Sequence, residues 1–225
     1  MNGTGERGKD GAGMCMRFAF RPADIGVILK RFELESSEYE AKPRYNISPS
    51  RKVPVIFNDS PKTLSSATWG IPAHWGKEAH KLLLNARAET IDLKPSFKNG
   101  FAKRRCLMLA DAFYEWKQPE KRPFMLSLKG GAAFAFAGIY AQENDGRACC
   151  MITTAPNALV AKIHGRMPAI LPVGREREWL LSDTESAISL LNAFPAGGME
   201  MAEISPRINS SKSDSAALVE PVAQA

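Results

Sequence analysis

Short apolar or alternating stretches, each bounded by glycine, proline or charged residues, fill the middle of this chain. Stretches of this kind are typical of β-strands. We predict six strands, at residues 53–57, 106–110, 124–128, 133–140, 148–154 and 169–171. Helices are predicted towards the flanks, at residues 24–32, 156–163 and 175–191, the last broken around Ser182. This order indicates an α+β fold, a single domain built on a mostly antiparallel, open barrel-like sheet with flanking helices.

The length of 225 residues fits one domain with a sizeable core. We place that domain at residues 14–221, after a leader at 1–13 and before a tail at 222–225. The leader is glycine-rich and charged and has no apolar segment, so it is not a secretion signal. We interpret it as disordered or as a misassigned start. No apolar stretch approaches the roughly 20 residues of a membrane span, so no membrane partner is expected.

The cysteines and histidines show no metal-ligand spacing. The four cysteines are Cys15, Cys106, Cys149 and Cys150, and the three histidines are His74, His80 and His164. No C-x-x-C occurs, and cysteines without a disulfide framework are typical of a reducing compartment. We therefore expect a cytoplasmic protein, associated with the nucleoid in a bacterium. We predict neither a metal site nor an organic cofactor.

The charge is uneven along the chain. Residues 181–225 carry 2 basic and 6 acidic side chains, which leaves 28 basic and 18 acidic ones in residues 1–180, because the totals are 30 and 24. A basic body is the electrostatic footprint of a nucleic-acid-binding protein. Solubility alone is the other explanation of the same charge.

Cys15 follows Met14 in a context that favours removal of an initiator methionine. A chain that began at Met14 would carry Cys15 with a free α-amine beside its thiol. Such a 1,2-aminothiol traps aldehydes, since the amine forms an imine and the thiolate closes on it to give a thiazolidine. In the sequence as written, thirteen residues precede Met14 and hold that amine in a peptide bond. The other reading of Cys15 is a small buried hydrophobic residue.

Glu115 lies between Tyr114 and Trp116. Desolvation by two aromatic neighbours would raise the pKa of its carboxyl towards the range useful for proton transfer. An exposed turn glutamate beside two core aromatics is the alternative.

Two further polar groups could carry chemistry. His164 can act as an acid or a base near neutral pH, and Arg166, two residues on, suits a phosphate; a cap at a helix C-terminus is the alternative for the histidine. Asn85, Arg87 and Glu89 alternate along the chain, so they share one face if the segment is extended. A solvated surface is the alternative for these three.

Aromatic residues cluster at Trp69, His74 and Trp75, close in sequence to the basic residues Lys77 and Arg87. Aromatic stacking combined with phosphate contacts is how proteins bind single-stranded nucleic acid. Burial in a core is the commoner position of a tryptophan.

Taken in order, six short motifs resemble the SRAP (SOS-response-associated peptidase) family of abasic-site-processing proteins. They are Met14-Cys15-x-Arg17, Tyr45-Asn46-Ile47-x-Pro49, Trp69-Gly70-Ile71-Pro72, Asn85-Ala86-Arg87-Ala88-Glu89-Thr90, Tyr114-Glu115-Trp116 and His164-x-Arg166-Met167-Pro168. The likeness runs from Met14 to about Pro221. It implies one barrel-like α+β domain with a basic cleft for single-stranded DNA. It also implies an N-terminal cysteine that joins the ring-opened aldehyde of an abasic site in a thiazolidine DNA–protein crosslink.

The resemblance implies four catalytic residues. Cys15 corresponds to the nucleophile, and Asn85 would position the amine and the opened sugar. Glu115 would move protons during imine formation and crosslink reversal. His164 would assist opening of the sugar ring.

The resemblance also implies six DNA-binding residues. They are Arg17, Asn46, Pro49, Trp69, Arg87 and Arg166. The three arginines would hold phosphates, Asn46 would add a polar contact, and Pro49 and Trp69 would wedge or stack against bases. Elementary chemistry agrees with such a reaction, because an α-amine with a pKa of about 8 is accessible in its neutral form near pH 7. We also expect nearby arginines to favour the Cys15 thiolate.

The chain departs from the family pattern at two points. Met16 stands where the family typically has glycine, and residues 1–13 precede the usual start. Three functions stay open at this stage: an abasic-site crosslinker with lyase-like or peptidase-like activity, a cysteine peptidase that cuts its own leader, and a non-covalent single-strand binder. The expected partner is single-stranded DNA with abasic sites, bound by a monomer.

Overall fold

The computed structural model describes residues 15–40, 42–73 and 81–222. The expected leader at 1–13, most of the tail, and the residues His74, Trp75, Lys77 and His80 lie outside the described residues. None of the helices in the described part of the chain is long and apolar enough to cross a membrane.

The strands of the described residues are β1 (Phe18–Phe20), β2 (Ser36–Ser37), β3 (Arg44–Ile47), β4 (Lys52–Phe57), β5 (Ser60–Trp69), β6 (Ile71–Pro72), β7 (Leu82–Leu83), β8 (Asn85–Arg87), β9 (Arg105–Ala110), β10 (Ala112–Lys117), β11 (Arg122–Leu128), β12 (Phe134–Glu143), β13 (Gly146–Thr154), β14 (Met167–Pro168) and β15 (Met199–Glu203). The α-helices are α1 (Ile25–Arg31), α2 (Pro95–Lys103), α3 (Glu176–Leu181) and α4 (Thr184–Ser189). Short 3-10 helices lie at Ala88–Thr90, Val160–Lys162, Ala196–Gly198, Pro206–Asn209 and Ala216–Leu218.

Five strands form a closed barrel. The order β5-β4-β9-β12-β13 is antiparallel throughout, and β13 pairs with β5 in parallel to close the ring. The closing register places Ala148 opposite Thr68 and Cys149 opposite Trp69. The predicted α+β class and mostly antiparallel, barrel-like sheet are confirmed. The sequence indicated an open barrel, whereas this parallel pairing closes it.

A second sheet, in the order β15-β11-β10-β1-β3, contains the first and last strands of the described residues. Its strands β1 and β10 pair with Phe18 opposite Phe113. Because side chains alternate along a strand, Phe18 and Phe113 enter the main core, and Ala19 and Tyr114 point to the other face, into a smaller cluster. Cys15 lies just before β1, and Glu115 lies in β10.

Five of the six predicted strands are confirmed, each within three residues at either end. The strand predicted at 169–171 is wrong, since this segment forms only an isolated bridge between Ile170 and Phe136. The amide of Ala169 bonds the carbonyl of Ile152 and the amide of Leu171 bonds that of Ala135. The segment therefore shares its hydrogen bonds between two strands and builds no ladder with either.

The helix predicted at 24–32 is confirmed as α1, which Asp24 caps by accepting a hydrogen bond from the Gly26 amide. The helix predicted at 175–191 is confirmed with its break, because Asp183 starts α4 as its N-cap. The helix predicted at 156–163 is wrong. Only the 3-10 helix Val160–Lys162 forms there, after the Asn157 side chain, which accepts hydrogen bonds from the Leu159 and Val160 amides as a helix N-cap does.

Candidate active site

Cys15 is held in a buried position at the start of β1. Only 1% of its surface is exposed. Its carbonyl accepts a hydrogen bond from Asn85 Nδ2 at 3.2 Å, and its thiol donates to the Arg17 carbonyl at 3.7 Å. Asn85 reaches this position because β8 runs parallel to β13, with Asn85 opposite Met151. The segment is extended, so the solvated-face alternative is wrong for Asn85.

Glu115 is buried in β10, with 2% of its surface exposed. The alternative of an exposed turn glutamate is therefore wrong. Burial raises the pKa of Glu115 to about 8, and hydrogen bonding with Cys15 lowers it in part. The group is protonated at neutral pH, so it can donate a proton as well as accept one.

His164 completes the cluster. Its Nδ1 lies 3.8 Å from Oε1 of Glu115. The same nitrogen lies 2.9 Å from the Arg166 carbonyl oxygen and accepts a hydrogen bond from the Arg166 amide at 3.2 Å. These contacts with the following backbone orient the ring towards Glu115. They do not involve the preceding helical turn, as a helix cap would.

Three buried polar atoms in this cluster have no hydrogen-bond partner among the described residues: Asn85 Oδ1, Glu115 Oε1 and His164 Nε2. Buried polar groups in proteins are nearly always hydrogen-bonded. Two acceptor oxygens and a histidine nitrogen are therefore free to bind a polar ligand beside Cys15. The structure thus brings together all four residues predicted to be catalytic.

The expectation that arginines favour the Cys15 thiolate is wrong. Burial raises the pKa of the Cys15 thiol well above its ordinary value, and Glu115 beside it raises this pKa further. The thiol is therefore neutral at pH 7 and must lose its proton to a neighbouring group before it attacks.

Arg17 and Asn46 are engaged inside the protein. Arg17 donates to Asn46 Oδ1 at 2.7 Å and to the carbonyls of Ile208 and Asn209 at 3.1 and 3.2 Å. Asn46 is only 3% exposed. The predicted DNA contact of Asn46 is contradicted by this burial. The Arg17 guanidinium is turned to the C-terminal segment, whose carbonyls take up its hydrogen bonds.

The predicted stacking of Trp69 on a base is also wrong. It has no exposed surface, its indole nitrogen donates to the Leu84 carbonyl at 3.0 Å, and its ring meets Phe18 edge to face at 5.2 Å. It closes the barrel core and cannot stack on a base. Pro49 lies half-exposed in the turn after β3, so its wedge role stays a prediction.

The two remaining arginines differ. Arg87 is exposed at the end of β8. Arg166 binds Glu89 through two hydrogen bonds of 2.6 and 3.0 Å and the Thr153 carbonyl at 2.7 Å, and this pairing lowers the pKa of Glu89. Arg166 is therefore neutralised by Glu89, which leaves Arg87 as the predicted phosphate ligand that faces solvent.

Sequence reasoning missed a groove of about 550 Å³ beside the cluster. Its lining includes Lys117, Phe124, Lys162 and Ile163. Phe124 lies directly opposite Glu115 in the β10–β11 register, and Ile163 precedes His164. Part of this groove could have been predicted from the sequence, because Lys117 is two residues from Glu115 and strand alternation places both side chains on one face.

The buried carboxyl predicts a pH-dependent difference in stability. The pKa of Glu115 is about 8 in the folded state against 4.5 for an ordinary glutamate, so the folded state holds more protons between these values. The stability of the protonated form is complete below the unfolded pKa and is lost as pH rises through the folded pKa. Glu115→Gln cannot ionise, and its free energy of unfolding should rise relative to the parent protein from about pH 4.5 to 8.

Urea unfolding of the parent protein and of Glu115→Gln across this pH range measures the difference in their free energies of unfolding. Each unit of pKa shift corresponds to about 1.4 kcal/mol. Glu178→Gln is the control, because pairing with Arg175 lowers the pKa of Glu178; Glu178 is therefore ionised in both states across this range, and the control difference should stay constant with pH. If the difference between Glu115→Gln and the parent protein stays constant with pH, this result would contradict the burial of a titrating Glu115.

Comparison with known proteins identifies one family and relatives that share one name. Residues 14–211 match the SRAP family, SOS response associated peptidase. The chain is 38% identical to the abasic site processing protein YoqW of Bacillus subtilis, with 92% of this chain and 99% of that protein covered. It is 27% identical to the abasic site processing protein YedK of Escherichia coli, with 93% and 100% covered.

A solved structure shares the fold. A protein from Bacteroides thetaiotaomicron superimposes with a TM-score of 0.81 at 26% identity, over 92% of this chain and 100% of that one. A match over residues 14–211 takes in both sheets and the whole Cys15 cluster. The chain belongs to the SRAP family.

Proposed function

We propose that this protein detects abasic sites in single-stranded DNA and binds them covalently through the aminothiol of Cys15, in a form of the chain that begins at that residue. One observation carries the proposal: Cys15 is buried against Asn85, Glu115 and His164, three of whose polar atoms are free to bind a ligand. The names of the related proteins, abasic site processing proteins, support the same role.

The proposed reaction joins an aldehyde to an aminothiol. The α-amine of Cys15 adds to C1′ of the ring-opened sugar, and loss of one water gives an imine. Glu115 supplies the proton with which that water leaves, so the imine forms as its cation; Sγ then bonds to the same carbon while its proton returns to Glu115, which closes a thiazolidine. The balance is protein plus DNA minus one water, without an oxidant or a reductant.

The side chains in the cluster supply the proton transfers. Protonated Glu115, with a pKa of about 8, can protonate the departing hydroxyl and then accept the proton of the thiol. His164, 3.8 Å from Glu115, can assist sugar ring opening. Asn85 holds the Cys15 carbonyl, which fixes the direction of the adjacent amine.

The exposed cations define where the DNA strand would lie. Arg87 faces solvent at one side of the site, and the groove beside Glu115 carries Lys117 and Lys162. Arg122 also lines the groove but is paired with Glu203, Nε to Oε1 at 2.7 Å. Half-buried Phe124 offers a face for base stacking. Such contacts to phosphates and rings read no sequence, as a lesion sensor requires.

A general cysteine peptidase is the weaker candidate. Such enzymes use a thiolate with a lowered pKa, whereas burial raises that of Cys15. Cleavage of the peptide bond before Cys15 is a separate case, because it would take place within the chain and could use the Glu115 and His164 pair. Processing of the DNA lesion is therefore the main activity that we propose, and self-cleavage would serve it by freeing the amine.

The covalent step can be tested by intact-mass spectrometry. A chain that starts at Met14 should lose this methionine and gain the mass of an abasic oligonucleotide less one water. The full chain should form this adduct only after loss of residues 1–14. Cys15→Ser should form no thiazolidine, and an oligonucleotide without the lesion should give no adduct. An equally stable adduct on the serine variant would overturn the proposal.

Glu115→Gln should slow crosslinking at saturating DNA by on the order of 10²-fold, because proton transfer typically contributes this much. The affinity for DNA should stay within about twofold, since Glu115 holds no phosphate. Quenched-flow crosslinking and fluorescence anisotropy measure the two quantities. Glu178→Gln, at the surface of α3, is the matched control. A large loss of affinity with an unchanged rate would contradict the assigned role.

The groove makes a separate prediction. Lys117→Gln combined with Lys162→Gln should reduce the slope of log affinity against log salt by roughly 1.4, since each phosphate contact on a single strand contributes about 0.7. Crosslinking at saturating DNA should not change. Exposed Lys98 and Lys129, changed together to Gln, provide a control of equal charge. An identical salt slope in both double variants would place the strand elsewhere.

A further inference from the structure

The C-terminal strap, which we define as residues 205–214, lies against the segment that presents Cys15. Two of its carbonyls, those of Ile208 and Asn209, accept hydrogen bonds from Arg17. Arg17 is two residues from Cys15, and its own carbonyl accepts from the Cys15 thiol and from the Tyr114 amide. The strap thus holds a residue that contacts Cys15 directly.

Asn46 ties the strap to β3 from inside. Its Nδ2 lies within hydrogen-bond distance of three strap carbonyls: those of Ile208 at 3.2 Å, Ser210 at 2.9 Å and Ser213 at 2.9 Å. Its Oδ1 accepts from Arg17. One buried amide therefore links the strap to the guanidinium beside the nucleophile.

Asp214 fixes the end of the strap. Its Oδ1 accepts hydrogen bonds from the backbone amides of Tyr45 at 2.6 Å and Asn46 at 3.1 Å. Its Oδ2 accepts from Arg44 Nε at 2.6 Å. Asp214 lies beyond residues 14–211, the part matched to the family, so these contacts belong to a segment outside that match.

The strap also supports β10, the strand of Glu115. Trp116, next to Glu115, donates its indole N–H to Asn209 Oδ1 at 2.7 Å. Ile208 is fully buried in the small cluster with Ala19 of β1 and Tyr114 of β10. Residues on one face of these strands pack on the strap, and residues on the opposite face include Glu115.

We propose that the strap is a positioning element for the reaction and that Asp214 is its positioning residue: it holds Cys15 and Glu115 in register by supporting β1 and β10 from the opposite face. The proposal rests on the proposed function only for the reaction that the alignment serves. Loss of the Asp214 carboxylate would leave the Tyr45 and Asn46 amides without their acceptor. The Asn46 side chain, and Arg17 with it, would then lose orientation.

Asp214→Ala should lower the crosslinking rate at saturating DNA by on the order of tenfold, because small misplacements of reacting groups are costly. The dissociation constant for DNA should change by less than about twofold. Asp214→Asn, which keeps an acceptor oxygen for the two amides, should recover most of the rate. Asp183→Ala is the matched control, since Asp183 also accepts from a backbone amide, that of Ser186, but at α4. A normal rate in Asp214→Ala would overturn the proposal.

A second readout does not depend on crosslinking. The cysteines of the full chain are alkylated with iodoacetamide, and each site is quantified by peptide mass spectrometry. In Asp214→Ala, alkylation of Cys15 should rise on the order of tenfold, whereas Cys106, Cys149 and Cys150, all buried in the main core, should not change.

The two readouts separate the possible failures. Equal increases in alkylation at all four cysteines would mean that the variant is destabilised globally. Unchanged alkylation of Cys15 would mean that Asp214 does not position this residue. Either result overturns the positioning role. If the parent chain that starts at Met14 forms no crosslink at all, the proposed function fails while the alkylation pattern still decides the role of the strap.

Discussion

Burial of the Glu115 carboxyl beside a buried thiol sets the chemistry of the site. In water near neutral pH, the Glu115 side chain would be an ionised carboxylate and the Cys15 side chain a mostly protonated thiol. Burial raises both pKa values, that of Glu115 to about 8. Near neutral pH both groups therefore hold their protons, and Glu115 titrates about one unit above that pH. The cost of two desolvated titratable groups is offset by the main core, which packs around Cys15. A cluster of this kind favours reactions in which each step moves one proton.

Strand alternation connects this site with the rest of the fold. Along β10, Phe113 and Glu115 face the core and the site, whereas Ala112 and Tyr114 face the smaller cluster that includes Ile208 of the strap. A one-residue slip of β10 would exchange the two sets. The register is held by β11, which pairs with six consecutive residues of β10. The position of Glu115 thus depends on pairing along the whole strand.

The elements that depend on a local apolar pattern could be predicted from the sequence. The positions that depend on pairing between distant parts of the chain could not. Five central strands and α1 follow from short apolar runs and a capping aspartate. The long strand β5 was missed because serine and threonine weaken its apolar signal. The family resemblance implied that Trp69 stacks on a base, yet its pairing opposite Cys149 buries it. Neither this pairing nor the bonds of Arg17 to Ile208, 191 residues away, has a local signature.

Lesion selectivity must come from chemistry more than from affinity. Of the predicted phosphate ligands, Arg17 and Arg166 are bound to internal acceptors, so the net charge of +6 overstates the DNA-binding surface. Phosphate contacts by exposed lysines are the same for an intact and a damaged strand. An intact nucleotide carries a base on C1′ and offers no aldehyde to the amine. In the proposed reaction, an aminothiol freed at Cys15 next to Glu115 and His164 would therefore react only where the base is missing, whatever the surrounding sequence.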